Sequence, residues 1–183
     1  MAQNSASDAV QEFLKDFLKE QMYWEALAYT TQKICQRKLG IQGIMPRFEV
    51  RVKTYESLKK KVERCNASRG GYNSKKEIHD DICDRAGVRI VVHAPIQKQT
   101  VDIIIRETFE VVKVVQHPVE KAIHRGHIGV GYLSRDYKPV FPGYSGTHYH
   151  VQPRQEDKAM YGTNYTAGDI IEIQVSSIFL SSW

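Results

Sequence analysis

The chain has 183 residues, 42% of them hydrophobic and 26% charged, a composition typical of one folded domain and unlike that of a disordered segment. The formal net charge of +5 favours an anionic partner, such as a nucleotide or a nucleic acid. No apolar run is long enough to span a bilayer, and three widely spaced cysteines indicate free thiols. We therefore expect a soluble cytoplasmic protein with no membrane partner.

The N-terminal quarter is predicted to be helical. An apolar stripe at the spacing of one helical face is formed by Val10, Phe13, Leu14, Phe17 and Leu18. The helical pattern continues to Gly40, a residue type favoured just past a helix end. We expect residues 1–44 to form a helical segment and residues 45–183 to form the core of a single domain.

Strands and helices then alternate along the chain. Alternating or β-branched runs predict strands near residues 48–52, 88–93, 109–115, 147–152 and 170–175. Helices are predicted near residues 57–65, 74–83 and 101–109. This order predicts an α/β or α+β fold in which helices cover a sheet. The connection from Pro118 to Gly146 is long, and long connections in compact domains are usually functional or mobile.

Two acids lie at strand-like runs. Glu172 and Gln174 share one face of the last predicted strand, and Asp84 comes shortly before the run at residues 88–93. Acids on neighbouring strands could hold a hard divalent cation, which prefers oxygen ligands and substrate phosphates. A solvated sheet face would give the same pattern, so the rest of the chain must decide.

A basic stretch runs from the first predicted strand into a helix. Arg51 and Lys53 share a strand face, Ser57 lies at the helix start, and Lys61 follows one turn later. This assembly suits a polyphosphate, because it combines cations with the free N–H groups of a helix N-terminus. A solvated charge run with an ordinary helix cap explains the same residues equally well.

A glycine-bracketed turn precedes the fourth predicted strand. Its Tyr144 offers a flat surface for stacking on a base, and His148 offers a hydrogen-bond donor nearby. In isolation, a tyrosine packed on the protein surface is the simpler interpretation.

Together these motifs resemble the RelA/SpoT-type alarmone synthetase domain over residues 45–183. The matching patterns, in order, are Arg51-x-Lys53-x-x-x-Ser57-x-x-x-Lys61, Asp84-x-x-Gly87-x-Arg89, Gly143-Tyr144-x-x-x-His148 and Glu172-x-Gln174. The resemblance implies a nucleotidyltransferase-like mixed β-sheet flanked by helices. It also implies a small stand-alone enzyme that transfers pyrophosphate from ATP to the 3′-hydroxyl of GDP or GTP, giving (p)ppGpp.

The resemblance further implies roles for individual residues. Asp84 and Glu172 would bind Mg²⁺, and Glu172 would also take the proton of the 3′-hydroxyl. The donor nucleotide and its phosphates would be bound by Arg51, Lys53, Ser57, Lys61, Arg89 and Arg106, with Arg51 and Arg106 on the adenine. The acceptor would be bound by Tyr144, His148 and Gln174, with Tyr144 stacked on its base.

The chain departs from the family pattern at two places. The run Lys138-Pro139-Val140-Phe141-Pro142 replaces a lysine-containing stretch that recognises the acceptor phosphates, and the chain ends at Trp183, before a further helix usual in the family. Three alternatives stay open: the acceptor is an adenine nucleotide, the acceptor is the 3′ end of a tRNA, or the protein binds nucleotide without catalysis. A homo-oligomer is equally open.

Overall fold

The computed structural model describes residues 2–117, 146–154 and 168–177, with side chains from Asp8 onward. These residues form five helices and five strands. The helices are α1 (Ala2–Lys19), α2 (Gln21–Ile41), α3 (Tyr55–Arg69), α4 (Lys75–Asp81) and α5 (Gln97–Thr108). The strands are β1 (Arg47–Val52), β2 (Ala86–Val92), β3 (Phe109–His117), β4 (Gly146–Pro153) and β5 (Ile171–Ser177).

The strands form one mixed sheet in the order β1-β2-β5-β4-β3. The central pair, β2 and β5, is parallel, and the other three pairs are antiparallel. This mixed sheet with its helices confirms the predicted fold class. It also brings β5, the last described strand, next to β2 at the centre.

One face of the sheet is buried against helices. The alternating residues Ile171, Ile173 and Val175 of β5 are fully buried, and they join a core to which α2 and α5 contribute. Each fully buried isoleucine contributes roughly 1.5–3 kcal/mol to stability through removal of apolar surface from water. The opposite face of β5 carries the half-buried Glu172 and Gln174, so the polar residues predicted from sequence lie on the face that this core leaves open.

Local capping explains where α3 and α4 begin. α3 starts at Tyr55, two residues before the predicted start, because the Thr54 side chain accepts a hydrogen bond from the N–H of Ser57. Ser57 is therefore a first-turn residue and not the cap. At α4, Ser74 accepts from the N–H of Glu77, as expected of a capping residue. None of the helices in the described ranges is long and apolar enough to cross a bilayer.

Candidate active site

Polar side chains form two rows across the open face of the sheet. The strand register aligns one row, here called the Glu172 row, which consists of Arg51, Gly87, Glu172 and His150. Two residues away along each strand lies the Arg89 row, which consists of Glu49, Arg89, Gln174 and His148. Because alternate residues of a strand share a face, both rows project from the same side of the sheet.

The two rows contribute most of the lining of a small cleft. Its lining residues are Glu49, Arg51, Lys53, Asp84, Ala86, Gly87, Val88, Arg89, Glu172 and Gln174. The sequence separates these residues by more than 120 positions, and the parallel pairing of β2 with β5 brings them together. Both predicted metal-binding acids and three of the predicted donor residues therefore share one cleft.

Glu172 is held by three neighbouring side chains. Its Oε1 lies 2.8 Å from His148 Nδ1 and 3.8 Å from His150 Nε2, and its Oε2 accepts a 2.7 Å hydrogen bond from Gln174 Nε2. Burial alone would raise the pKa of Glu172, but His150, Gln174 and His148 outweigh it and lower the pKa to about 2. The side chain is thus an ionised carboxylate with a fixed orientation at neutral pH.

His150 links this carboxylate to a second, larger cleft. Its contacts with Cys83 and Glu172 raise its pKa to about 9, against the opposing effect of burial. The imidazole is therefore protonated at neutral pH and faces Glu172 as a cation. The larger cleft is lined by residues of α4, of the connection from α4 to β2 and of β4, among them Lys76, His79, Cys83, Arg85, His150 and Gln152.

Asp84 is bound on one oxygen only. Its Oδ2 lies 2.6 Å from Lys61 Nζ and 3.1 Å from Lys53 Nζ, whereas its Oδ1 is buried without a hydrogen-bond partner. Burial would raise the pKa of Asp84, but the two lysines lower it below its usual value. The predicted phosphate-binding lysines thus converge on the predicted metal-binding acid.

Gly87 lets β2 and β5 approach closely at this point. A Cβ atom added to Gly87 would lie 2.7 Å from the carbonyl oxygen of Glu172, which is closer than real Cβ contacts. The absence of a side chain also leaves an open floor in the cleft between Arg51 and Glu172. The glycine of the predicted motif therefore has a packing role that the sequence pattern alone did not reveal.

Arg106 lies on the other side of the sheet. It is bonded to Asp102 of α5, which also accepts a 2.8 Å hydrogen bond from the hydroxyl of the buried Tyr149. Tyr149 projects from the sheet face opposite to His148 and His150 because it alternates with them along β4. Because α5 packs on the buried face, Arg106 does not line the cleft that contains Arg51, and its role in the adenine clamp stays a prediction that this placement does not favour.

Arg89 is the arginine that the structure places beside Arg51. It lies on the same sheet face as Arg51 but on the neighbouring strand, two residues beyond Gly87, which pairs with Arg51. Both arginines line the cleft. Its Nη1 is 3.5 Å from Glu49 Oε2, its Nη2 donates a 3.4 Å hydrogen bond to Gln174 Oε1, and its Nε is buried without a partner. The two arginines flank one opening.

The residues suit a magnesium ion that is also bound by substrate. Among the described residues, no group of three or more His, Cys, Asp or Glu side chains is arranged to hold a metal by itself. Mg²⁺ is usually bound by one or two carboxylates together with substrate phosphates and water. Three carboxylates line the cleft, of which Glu49 contacts Arg89 and Asp84 has a buried oxygen without a partner. Asp84 and Glu172 are the two predicted from sequence to hold the metal, and they fit that pattern.

Comparison with solved structures identifies the fold. The structure is similar to that of small alarmone synthetase 1 from Bacillus subtilis bound to its product pppGpp, with a TM-score of 0.53 and 19% identity over 91% of this chain and 74% of that chain. It is also similar to a GTP pyrophosphokinase family protein from Streptococcus pneumoniae, with a TM-score of 0.50 and 21% identity over 92% of this chain and 69% of that chain. This chain has the fold of the small alarmone synthetases.

The likeness to alarmone synthetases lies in the fold and in short motifs. The sequence as a whole matches no protein-family model and no curated protein sequence. The resemblance in sequence therefore consists of four short motifs, and three of them meet on the open sheet face described above. The fourth motif is only partly described, because Tyr144 lies outside the described residues whereas His148 contacts Glu172.

Three residues at or beside the cleft were missed by reasoning from sequence. Glu49 contacts Arg89, His150 contacts Glu172, and Arg85 is only 3% exposed, with its guanidinium 4.0 Å from the ring centroid of Trp24. Glu49 and His150 were detectable in principle, because each lies two residues from a motif residue on a predicted strand face. Arg85 lies outside the predicted strands, and its partners, Trp24 of α2 and His79 of α4, are brought to it only by the fold.

Proposed function

We propose that this protein is an ATP-dependent pyrophosphokinase that makes (p)ppGpp. It would transfer the β,γ-pyrophosphate of ATP to the 3′-hydroxyl of GDP or GTP. The observation that carries the proposal is the cleft in which Asp84, Glu172, Arg51 and Lys53 meet, in a fold shared with small alarmone synthetases. The Bacillus subtilis synthetase named above was solved with pppGpp, its product, bound.

The donor nucleotide would lie across β1 and β2. Arg51 and Arg89 flank one opening and carry planar guanidinium groups, which stack on aromatic bases. Lys53 and Lys61 are compact point charges that would meet the triphosphate. Ser57, in the first turn of α3 and one turn before Lys61, would contact a phosphate as the resemblance implies. We therefore assign the adenine clamp to Arg51 and Arg89.

Asp84 and Glu172 would hold Mg²⁺. The ion would neutralise charge that develops on the phosphate oxygens during transfer. In the reaction, a bond forms between the acceptor 3′-oxygen and the β-phosphorus of ATP, the bond from that phosphorus to the α-phosphate oxygen breaks, and AMP leaves. The proton of the 3′-hydroxyl passes to solvent in the same step.

The basicity of Glu172 bears on the fate of that proton. Efficient general bases have pKa values near the working pH, whereas the partners of Glu172 lower its pKa to about 2. A carboxylate with this pKa is fully ionised at neutral pH, which suits a metal ligand, but it is a weak base. We therefore propose metal binding as its main role, ahead of proton acceptance.

The acceptor would lie towards β4. His148 is bonded to Glu172 and lies on the cleft face, and Tyr144, two residues before the described start of β4, would stack on the acceptor base. Guanine and adenine nucleotides both offer such a base, and so does the 3′ end of a tRNA. The choice among these acceptors is left to experiment.

One assay tests both the reaction and the acceptor. The protein is incubated with Mg²⁺ and ATP labelled at the β-phosphate, together with GDP, GTP, GMP, ATP or deacylated tRNA in separate reactions, and the products are separated by chromatography. We expect label on GDP or GTP, with release of AMP. Label on another acceptor would show that the acceptor is not GDP or GTP but that the protein still transfers pyrophosphate. Absence of labelled product with every acceptor would overturn the proposal in favour of a nucleotide-binding module without catalysis.

A further inference from the structure

The side chain of Gln174 connects the two functional halves of the cleft. Its Oε1 accepts a hydrogen bond from Arg89 Nη2 at 3.4 Å, and its Nε2 donates one to Glu172 Oε2 at 2.7 Å. Arg89 belongs to the proposed donor site, and Glu172 belongs to the proposed metal site. One amide group therefore bridges a donor-site cation and a metal-site carboxylate.

We propose that Gln174 is a positioning residue that couples donor binding at Arg89 to the orientation of the Glu172 carboxylate. The proposal rests on the proposed function and refines it, because the family resemblance implied that Gln174 binds the acceptor. The residue would act through Arg89 and Glu172 without contacting either nucleotide.

The charges of its two neighbours fix the orientation of the Gln174 amide. A guanidinium group has only donors, and an ionised carboxylate has only acceptors. The amide oxygen must therefore face Arg89 and the amide nitrogen must face Glu172. The reverse orientation would set donors against donors and oxygen against oxygen. Both bonds involve a charged partner, and the bond to Glu172 is the short one, at 2.7 Å against 3.4 Å for the bond from Arg89.

The sheet holds the three residues in register. Arg89 pairs directly with Gln174 across β2 and β5, and Glu172 lies two residues from Gln174 on the same face of β5. Beyond Arg89, Glu49 continues the Arg89 row on β1. A nucleotide that orders the Arg89 guanidinium thereby also orders the amide, and the amide in turn orders the carboxylate.

This arrangement predicts which kinetic constants Gln174 controls. Loss of the amide should loosen Arg89, which weakens donor binding, and should free Glu172 to rotate, which lowers turnover. It should leave the acceptor KM unchanged, because Gln174 would not contact the acceptor. A residue that binds the acceptor directly would show the opposite pattern.

The test compares Gln174→Met with the matched variant Gln116→Met. Methionine has a similar length but cannot bond to either neighbour, and Gln116 is an exposed residue of β3 that does not line the cleft. The readouts are the equilibrium affinity for a non-hydrolysable ATP analogue with Mg²⁺, and kcat and KM with the best acceptor. Thermal unfolding checks that both variants fold.

For Gln174→Met we expect kcat to fall about tenfold or more, as expected from the loss of a bond to a charged group. Analogue affinity should fall by less, about 3- to 10-fold, because Gln174 acts on the nucleotide only through Arg89. The acceptor KM should change less than twofold, and Gln116→Met should match the wild type. A raised acceptor KM with unchanged kcat and analogue affinity would overturn the coupling role. If Gln174→Met unfolds, Gln174→Asn serves in its place, because its amide is one methylene too short to span both partners.

A double-mutant cycle gives an independent result. If Arg89 and Gln174 act as one unit, Gln174→Met should weaken analogue binding little further in an Arg89→Met background. Additive losses would contradict the coupling. Failure of the coupling role can be told apart from failure of the proposed reaction. The proposed reaction is contradicted only if the wild-type protein forms no pyrophosphorylated product, whereas both tests above compare variants with an active wild type.

Discussion

Lys61 reaches from α3 to Asp84 and brings its Nζ to 2.6 Å from Oδ2 of the carboxylate. A proposed phosphate ligand thus forms an ion pair with a proposed metal ligand. Lys53 makes a second, longer contact of 3.1 Å with the same oxygen. When ATP and Mg²⁺ bind, the two lysines would leave Asp84 and bind the triphosphate, and the Asp84 carboxylate would bind the metal instead.

The ion pair predicts that metal binding depends on nucleotide. In the wild-type protein the two ammonium groups should repel a free divalent cation from Asp84. Lys61→Met should therefore strengthen binding of Mn²⁺ alone by about tenfold, because a like charge is removed at short range, while it raises the ATP KM. Calorimetric titration with Mn²⁺ in the absence of nucleotide measures the first effect. Lys59→Met serves as the control, because Lys59 lies on the same helix but pairs with Glu63. It should change neither Mn²⁺ affinity nor the ATP KM, and equal effects of the two variants would contradict the proposed exchange of partners at Asp84.

The assignment of the adenine clamp is tested by two arginines on opposite faces of the sheet. Arg51→Lys keeps the charge but removes the planar group, so it should raise the ATP KM by roughly 2- to 30-fold, as a loss of about 0.5–2 kcal/mol implies. Arg106→Lys should leave the ATP KM unchanged, because Arg106 bonds to Asp102 on the buried side. Initial rates with varied ATP at saturating acceptor measure both. If Arg106→Lys had the larger effect, the clamp would have to be reassigned.

The positions of Arg89 and Arg106 show which features of the site could be predicted from the sequence and which could not. Strand periodicity correctly places Arg51, Glu172 and Gln174 on polar faces, because a strand has a strict period of two. That period says nothing about which strand lies next to which. The parallel pairing of β2 with β5, which sets Arg89 beside Gln174, depends on contacts between residues 85 positions apart.

Helix faces were harder to assign than strand faces. The apolar stripe of α5 correctly predicts that Val101, Ile104 and Ile105 are buried. It could not indicate on which side of the sheet the helix packs, and that side decides whether Arg106 lies near the cleft. The contact of His150 with Glu172 was hidden for a similar reason, since the two residues become neighbours only through the antiparallel pairing of β4 with β5.

Tyr144 remains a prediction from sequence, and its substitution separates stacking from hydrogen bonding. Tyr144→Ala should raise the acceptor KM by roughly 5- to 150-fold, which corresponds to about 1–3 kcal/mol of lost base stacking. Tyr144→Phe should keep most acceptor binding, because the ring face makes the contact. Initial rates with varied acceptor at saturating ATP measure both variants. Equal losses with Phe and Ala would assign the effect to the hydroxyl group.

The low pKa of Glu172 predicts how stability changes in acid. Its pKa is lowered from its usual 4.5 to about 2 in the folded protein, so its ionised form stabilises the fold. This contribution is fully present above about pH 4.5 and is lost as the pH falls towards 2. The stability difference between wild type and Glu172→Gln should therefore shrink over this range. Urea unfolding at several pH values measures it, with the exposed Glu63→Gln as control; a difference independent of pH would contradict the assigned shift.

Gly87 gives the sharpest packing prediction, because an added Cβ has no free space. In Gly87→Ala the new methyl group would lie 2.7 Å from the carbonyl oxygen of Glu172, and only a separation of β2 from β5 relieves that contact. Overpacking of this kind costs about 1–3 kcal/mol, and the same separation should disturb the cleft and lower turnover. Gly40→Ala is the matched control. Its Cβ would meet no atom within 4 Å, and alanine in a helix is more stable than glycine by about 0.5–1 kcal/mol. Chemical denaturation should thus show a lower free energy of unfolding for Gly87→Ala and a higher one for Gly40→Ala. An unchanged free energy of unfolding for Gly87→Ala would mean that the β2–β5 spacing tolerates a side chain.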